Sequence, residues 1–144
     1  MGRNTLKLDS SAFAGLLTQL EKLGGSVREA VDDAMGQAAE TIKDDTIEAV
    51  ENAYLPAGGK YSTGDTRESI IADTTVRWEG NLAWVPVGFD FNKPGAGGWL
   101  ISGTPRMRPD EKLHRMYREK RYMKQIHQDM QEVIMDHIQD AMGV

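Results

Sequence analysis

The sequence contains no cysteine. Disulfides, thiolate metal ligands and cysteine nucleophiles are therefore excluded, and nothing in the chain calls for an oxidising compartment. Histidine is nearly as scarce. His114, His127 and His137 are the only three, and no two of them stand four apart as a helical metal-binding pair would. Apolar runs extend over only a few residues, too short for a membrane span, and Met1 to Ser10 lacks the basic-then-apolar build of a signal peptide. The expectation is a protein that is soluble when made, in the cytoplasm, with no membrane partner.

Signatures of chemistry are missing as well. No G-x-S-x-G elbow occurs, and Ser62 and Thr63 have no neighbouring base. The stretch Ala57 to Ser62 (AGGKYS) places a lysine after glycines but lacks the phosphate-loop spacing, because no glycine stands five residues before Gly59 and Tyr61 follows the lysine. Carboxylates are plentiful, yet they lie along helix faces, where solubility and i,i+4 support account for them. The sequence nominates no catalytic residue, no metal ligand and no cofactor, and it reads as a non-enzyme.

What remains is a chain of 144 residues, the size of one domain with one hydrophobic core, and residues 1–144 are taken as a single unit. Its charge is unevenly spread. Residues 106 to 124 hold eight Lys and Arg against three acids, a net of +5, which leaves −10 for the rest of a chain whose total is −5. Such asymmetry suits a charged neighbour: nucleic acid, an acidic protein face or another copy of the chain.

Leu6 and Leu8 alternate with Lys7, the period of a short half-buried strand. Asp9 or Ser10 then caps a helix whose Phe13, Leu16, Leu17, Leu20 and Leu23 share one face, ended by Gly24 and Gly25. Ser26 with Glu29 forms a capping box, and Val27, Val31, Met35, Ala38, Ile42, Thr46 and Val50 sustain one stripe of a long helix to about Tyr54. The other face bears Asp32, Asp33, Glu40, Asp44, Asp45, Glu48 and Glu51 and reads as a solvated acidic face or a dock for a basic partner.

Two Gly-rich stretches follow, expected as flexible loops at about 55–68 and 92–109. Between them, alternation from Ile70 to Trp78 predicts a strand, Glu79-Gly80-Asn81 a turn, and Ala83, Val85, Val87 and Phe89 the inward face of a return strand. Pro86 argues for an edge position or a bulge in that strand. Trp99 to Ser102 suggests a last short strand, Gly103 to Pro109 a rigid basic turn, and Asp110 the cap of a second long helix, interrupted near Lys120 to Tyr122. The layout predicts an α+β fold: a small antiparallel sheet packed against two long helices and one or two shorter ones.

Three segments carry a resemblance to a known family. Ser62 to Ile70 (STGDTRESI) is similar to a T-G-x-L-x-x-S-I pattern, in which Thr63, Gly64, Arg67, Ser69 and Ile70 align and Thr66 replaces an apolar residue. Val87 to Phe89 matches a strand end that precedes a loop and a G-T turn, here Ile101 to Pro109 (ISGTPRMRP). After that turn the usual aromatic P-F-[LM] gives way to Arg108 to Leu113. By these segments the chain resembles the tail-completion and head-to-tail joining family of long-tailed bacteriophages, also described as the minor tail or virion-morphogenesis family.

The resemblance implies a structural virion protein at the neck. It would assemble as a homo-oligomeric ring, a hexamer, between the head connector or portal-side proteins and the tail terminator or tail tube, with DNA in the channel as a non-specific contact. Contact residues are then expected in 55–65 and 92–109 and on the basic segment: Tyr61, Arg67, Trp99, Arg106, Arg108 and Arg115, because aromatic and arginine side chains most often dominate interfaces. The alternative from the residues alone is a small nucleic-acid-binding or regulatory protein that uses the basic helix 106–124.

Overall fold

The computed structural model describes residues 5–53, 63–90, 92, 93 and 95–143. The chain opens with strand β1 (Thr5–Asp9), which buries Leu8 and leaves Lys7 exposed. A 3-10 turn at Ser11–Phe13 leads into helix α1 (Ala14–Lys22). The Asp9 carboxylate accepts from the Ser11 amide at 3.0 Å and the Ser11 hydroxyl at 2.5 Å, which holds its carboxyl below the ordinary aspartate value. Helix α1 closes as Gly25 N donates to Leu20 O and Gly24 N to Glu21 O, both at 3.0 Å, the paired bonds that satisfy the last carbonyls of a helix. Ser26 then caps helix α2 (Val27–Glu51), its hydroxyl accepting from Glu29 N at 3.2 Å.

Strands β2 (Arg77–Glu79) and β3 (Leu82–Gly88) form the hairpin, and the sheet order is β1-β3-β2, antiparallel throughout. The return strand is therefore central, not at the edge that Pro86 suggested. The reason lies in which neighbour the proline faces. Ala83 O accepts from Ser10 N, on the β1 side, whereas Gly88 O accepts from Ile71 N, on the β2 side. Backbone groups alternate in direction along a strand, so Pro86 turns its missing donor towards the β2 side, and Lys7 opposite it loses nothing. The consequence falls on the expected strand from Ile70 to Trp78. Its ladder survives at Arg77–Glu79 and as a bridge from Ile70 to Phe89, while residues 71–76 between them are not paired as strand.

Two further expectations are corrected. The described part of 55–68 contains helix α3 (Thr63–Glu68), and 92–109 contains helix α4 (Gly97–Ser102), so Trp99 to Ser102 is helical and not a strand. Residues 55–62 lie outside the described residues. Helix α5 (Glu111–Arg118) starts at Asp110, whose carboxylate accepts from Leu113 N at 3.1 Å, and helix α6 (Lys120–Ala141) follows a break at Glu119, where the backbone is extended. Among the described residues no helix is long and apolar enough to cross a membrane.

The core is centred on α2. Ala30, Val31, Ala34, Met35, Ala38, Ala39, Ile42, Thr46, Ala49 and Val50 are all buried, packed with Val85 and Val87 of β3 and with Ile126, Met130, Ile134 and Ile138 of α6. The acids flanking this stripe are not simply solvated. Asp32 accepts from Trp78 Nε1 at 2.9 Å, Glu40 from Thr74 at 2.5 Å and Asp45 from the Tyr122 hydroxyl at 2.6 Å. Asp33 meets His137 at 3.0 Å, Glu48 meets Lys112 at 3.6 Å and Glu51 meets Arg67 at 3.2 Å. The contacts with His137 and Gln37 hold the Asp33 carboxyl below its ordinary value, and those with Thr74 and Lys43 do the same for Glu40.

One polar contact crosses the interior. Thr46 donates to Ile42 O at 2.6 Å and so receives the Tyr117 hydroxyl, 2.7 Å away, as an acceptor. Burial pushes the Tyr117 phenol up to about 12 despite that bond. The two partners should respond unequally to removal. Tyr117→Phe leaves the Thr46 donor satisfied and should cost about 1 kcal/mol, whereas Thr46→Val strands a buried phenol and should cost about 1–3 kcal/mol. Denaturant midpoints of the two variants and of the double variant check this, with the double variant expected to recover part of the Thr46→Val loss.

Candidate functional site

The segments that stand out in the sequence converge on one corner of the fold. Thr66 of α3 is fully buried, and its hydroxyl oxygen accepts from Ala96 N at 2.9 Å, tying the approach to α4 onto α3. Ser69 donates its hydroxyl to Thr66 O at 2.6 Å, and its own carbonyl accepts from Asp90 N at 2.7 Å. Gly97 lies so close to the Phe89 ring that a Cβ there would stand 2.6 Å from ring atoms. A side chain at this position would force strand and helix apart.

On this footing α4 buries Leu100 and Ile101 and turns Trp99 outward at 47% exposure. The chain then reverses through Gly103, whose φ of 74° strains any residue with a side chain. Thr104 and Met107 exchange backbone bonds of 2.8 and 3.2 Å, and Asp110 N returns to Leu100 O at 2.6 Å. Helix α5 braces the turn from behind, with Arg118 donating to the Ser102 hydroxyl at 3.1 Å and the His114 ring nitrogen Nδ1 lying 2.9 Å from Ile101 O. The basic turn is thus ordered and held at both ends.

The expected contact residues do not form one cluster. Trp99, Arg106 and Arg108 belong to the continuous stretch of α4 and its turn, and both arginines are exposed. Arg67 is directed to Glu51 at the end of α2, and Arg115 pairs with Glu111 one helical turn away, so each has a carboxylate within the chain. Tyr61 lies outside the described residues. Lys120, Arg121 and Lys124 at the start of α6 are exposed as well, cations of the basic segment that the expected contact residues did not include. Their signal was the charge run itself.

The three histidines are dispersed: His114 against Ile101 O, His127 edge-on to Phe13, and His137 against Asp33. Among the described residues no group of three or more His, Asp or Glu is placed to hold a metal ion. A cleft of about 740 Å³ lies between α1, the start of α2 and the hairpin tip. Its only charged lining residues are Glu21 and Arg28, and Arg28 stacks on Trp78 at 4.5 Å from the ring centroid. No family model, curated protein or solved structure matches the chain.

Two glycine substitutions test this geometry in opposite directions. Gly97→Ala should destabilise the fold by about 1–3 kcal/mol through overpacking against Phe89. Gly36→Ala, in mid-helix with nothing within 4 Å of the new methyl, should stabilise it by up to about 1 kcal/mol. Denaturation curves of the two variants against the parent measure both signs.

Proposed function

We propose that the chain is a structural protein of a bacteriophage virion, a tail-completion or head-to-tail joining subunit that acts by assembling into a ring at the neck. The observation that carries this reading is an outward tryptophan beside a turn held at both ends by hydrogen bonds. An outward Trp99 stands beside a pinned turn bearing Arg106 and Arg108, on the stretch whose sequence resembles that family. An exposed tryptophan next to arginines is the composition that most often carries binding energy when a partner covers it.

In this role the work is association. Each subunit offers one surface to a different surface on its neighbour, and a closed ring, sixfold by the resemblance, satisfies every such contact. The ring would meet the head connector on one side and the tail terminator or tube on the other. The chain would be made in the host cytoplasm and end in the virion. No bond need be made or broken, so the reading is of a non-enzyme without a cofactor.

The test is electron microscopy of lysates from a phage lacking this gene, complemented with the parent or with Trp99→Ala. Full heads lying apart from tails are expected without the gene and with Trp99→Ala, at unchanged circular dichroism of the purified variant. Intact infectious particles in the absence of the gene would overturn the proposal.

A further inference from the structure

The basic corner holds more positive charge than the fold uses. Of its cations, Lys112 is spent on Glu48 and Arg115 on Glu111, while Arg118 braces Ser102. Arg106 and Arg108 on the turn and Lys120, Arg121 and Lys124 on the first turns of α6 are exposed and have no carboxylate within ion-pair distance among the described residues. The contact between Arg118 and Ser102 joins the end of α5, and so the start of α6, to the residue before the turn, which places these five on neighbouring segments.

Two features identify the chemistry of what would cover them. Besides the five cations, the exposed residues from Arg106 to Lys124 are Pro109, Glu111, Lys112, Arg115 and Glu119, and no large hydrophobic side chain is exposed anywhere in 103–130. A protein interface has an apolar centre inside a polar rim, whereas phosphate contacts need only accessible Lys and Arg at a fixed place. The acids of α2, the obvious counter-surface on a second copy, are largely occupied within their own chain by Trp78, Thr74, Tyr122, His137, Lys112 and Arg67.

We infer that this corner binds the sugar-phosphate backbone of duplex DNA without reading its sequence. The inference divides the presenting stretch, leaving Trp99 to a neighbouring subunit and the cations to DNA, and it is read on a single subunit without the ring. The cations work by displacing counterions from the duplex, so each contacted phosphate adds about 0.9 to the steepness with which log affinity falls against log salt.

The experiment is fluorescence anisotropy of a labelled mixed-sequence duplex with the purified full chain between 50 and 200 mM salt. Double variants Arg106→Gln with Arg108→Gln, and Arg121→Gln with Lys124→Gln, should each lower the salt slope by about 2 and weaken binding at every salt. The control Lys7→Gln with Lys22→Gln removes the same charge from exposed positions on β1 and α1, outside the corner, and should leave the slope unchanged. All are surface changes, and circular dichroism verifies the fold. Absence of duplex binding at 50 mM salt would overturn the proposal. So would equal losses in the control, or self-association that the corner variants abolish while the duplex stays unbound, the last result assigning the corner to an acidic protein surface.

Discussion

Everything in this fold leans on one helix. Buried along one stripe, α2 makes the floor on which the sheet, α5 and α6 pack, and its flanking acids receive a side chain from each of the hairpin, α3, α5 and α6. Magnitudes separate the two roles. Burying a large aliphatic side chain stabilises by about 1.5–3 kcal/mol, whereas an exposed ion pair contributes about 0–1 kcal/mol. The stripe supplies stability. The acids set the rotation and register at which each element docks, because a hydrogen bond to a fixed carboxylate is directional where apolar contact is not.

The outer surface follows from that commitment. With most of the acids of α2 turned to partners within the chain, the cations of the basic turn and of the start of α6 have no carboxylate partner among the described residues. The Pro86 position completes the arrangement. By withholding a donor on the β2 side it leaves residues 71–76 unpaired as strand, and Thr74 within that segment reaches Glu40 on α2. At the other end of the hairpin the bridge between Ile70 and Phe89 brings Gly97, and with it α4, against the sheet. A firm interior and a presenting corner are thus two sides of one set of contacts.

The legibility of the sequence tracks the distance over which its signals act. Ser26 with Glu29, Asp110 with Leu113 and the three-and-four spacing along α2 and α6 are local, and these elements, like the α+β class, could be read directly. Helices α3 and α4 are six residues each, too short to show a helical period, and Trp-Leu-Ile favours a strand when read alone. The acidic face looked solvated because its partners lie far along the chain, 34 residues for Glu40 and Thr74 and 104 for Asp33 and His137. At the candidate site the charge run and the exposed Trp99 were legible. The buried hydroxyl of Thr66 left only a hint, a polar residue where the resembled pattern is apolar, and the pairing of Arg67 with Glu51 left none.

The central claim is that this chain works by occupying a place in an assembly through a surface that its fold holds rigid. The most direct measurement is a cryo-electron microscopy reconstruction of the head-to-tail junction of the virion in which the chain is proposed to act. The account predicts a closed ring into which this subunit fits without rearrangement of α2, α5 and α6, with Trp99 covered by a neighbouring chain. A junction that holds no copy of the chain, or one in which Trp99 faces solvent, would contradict it.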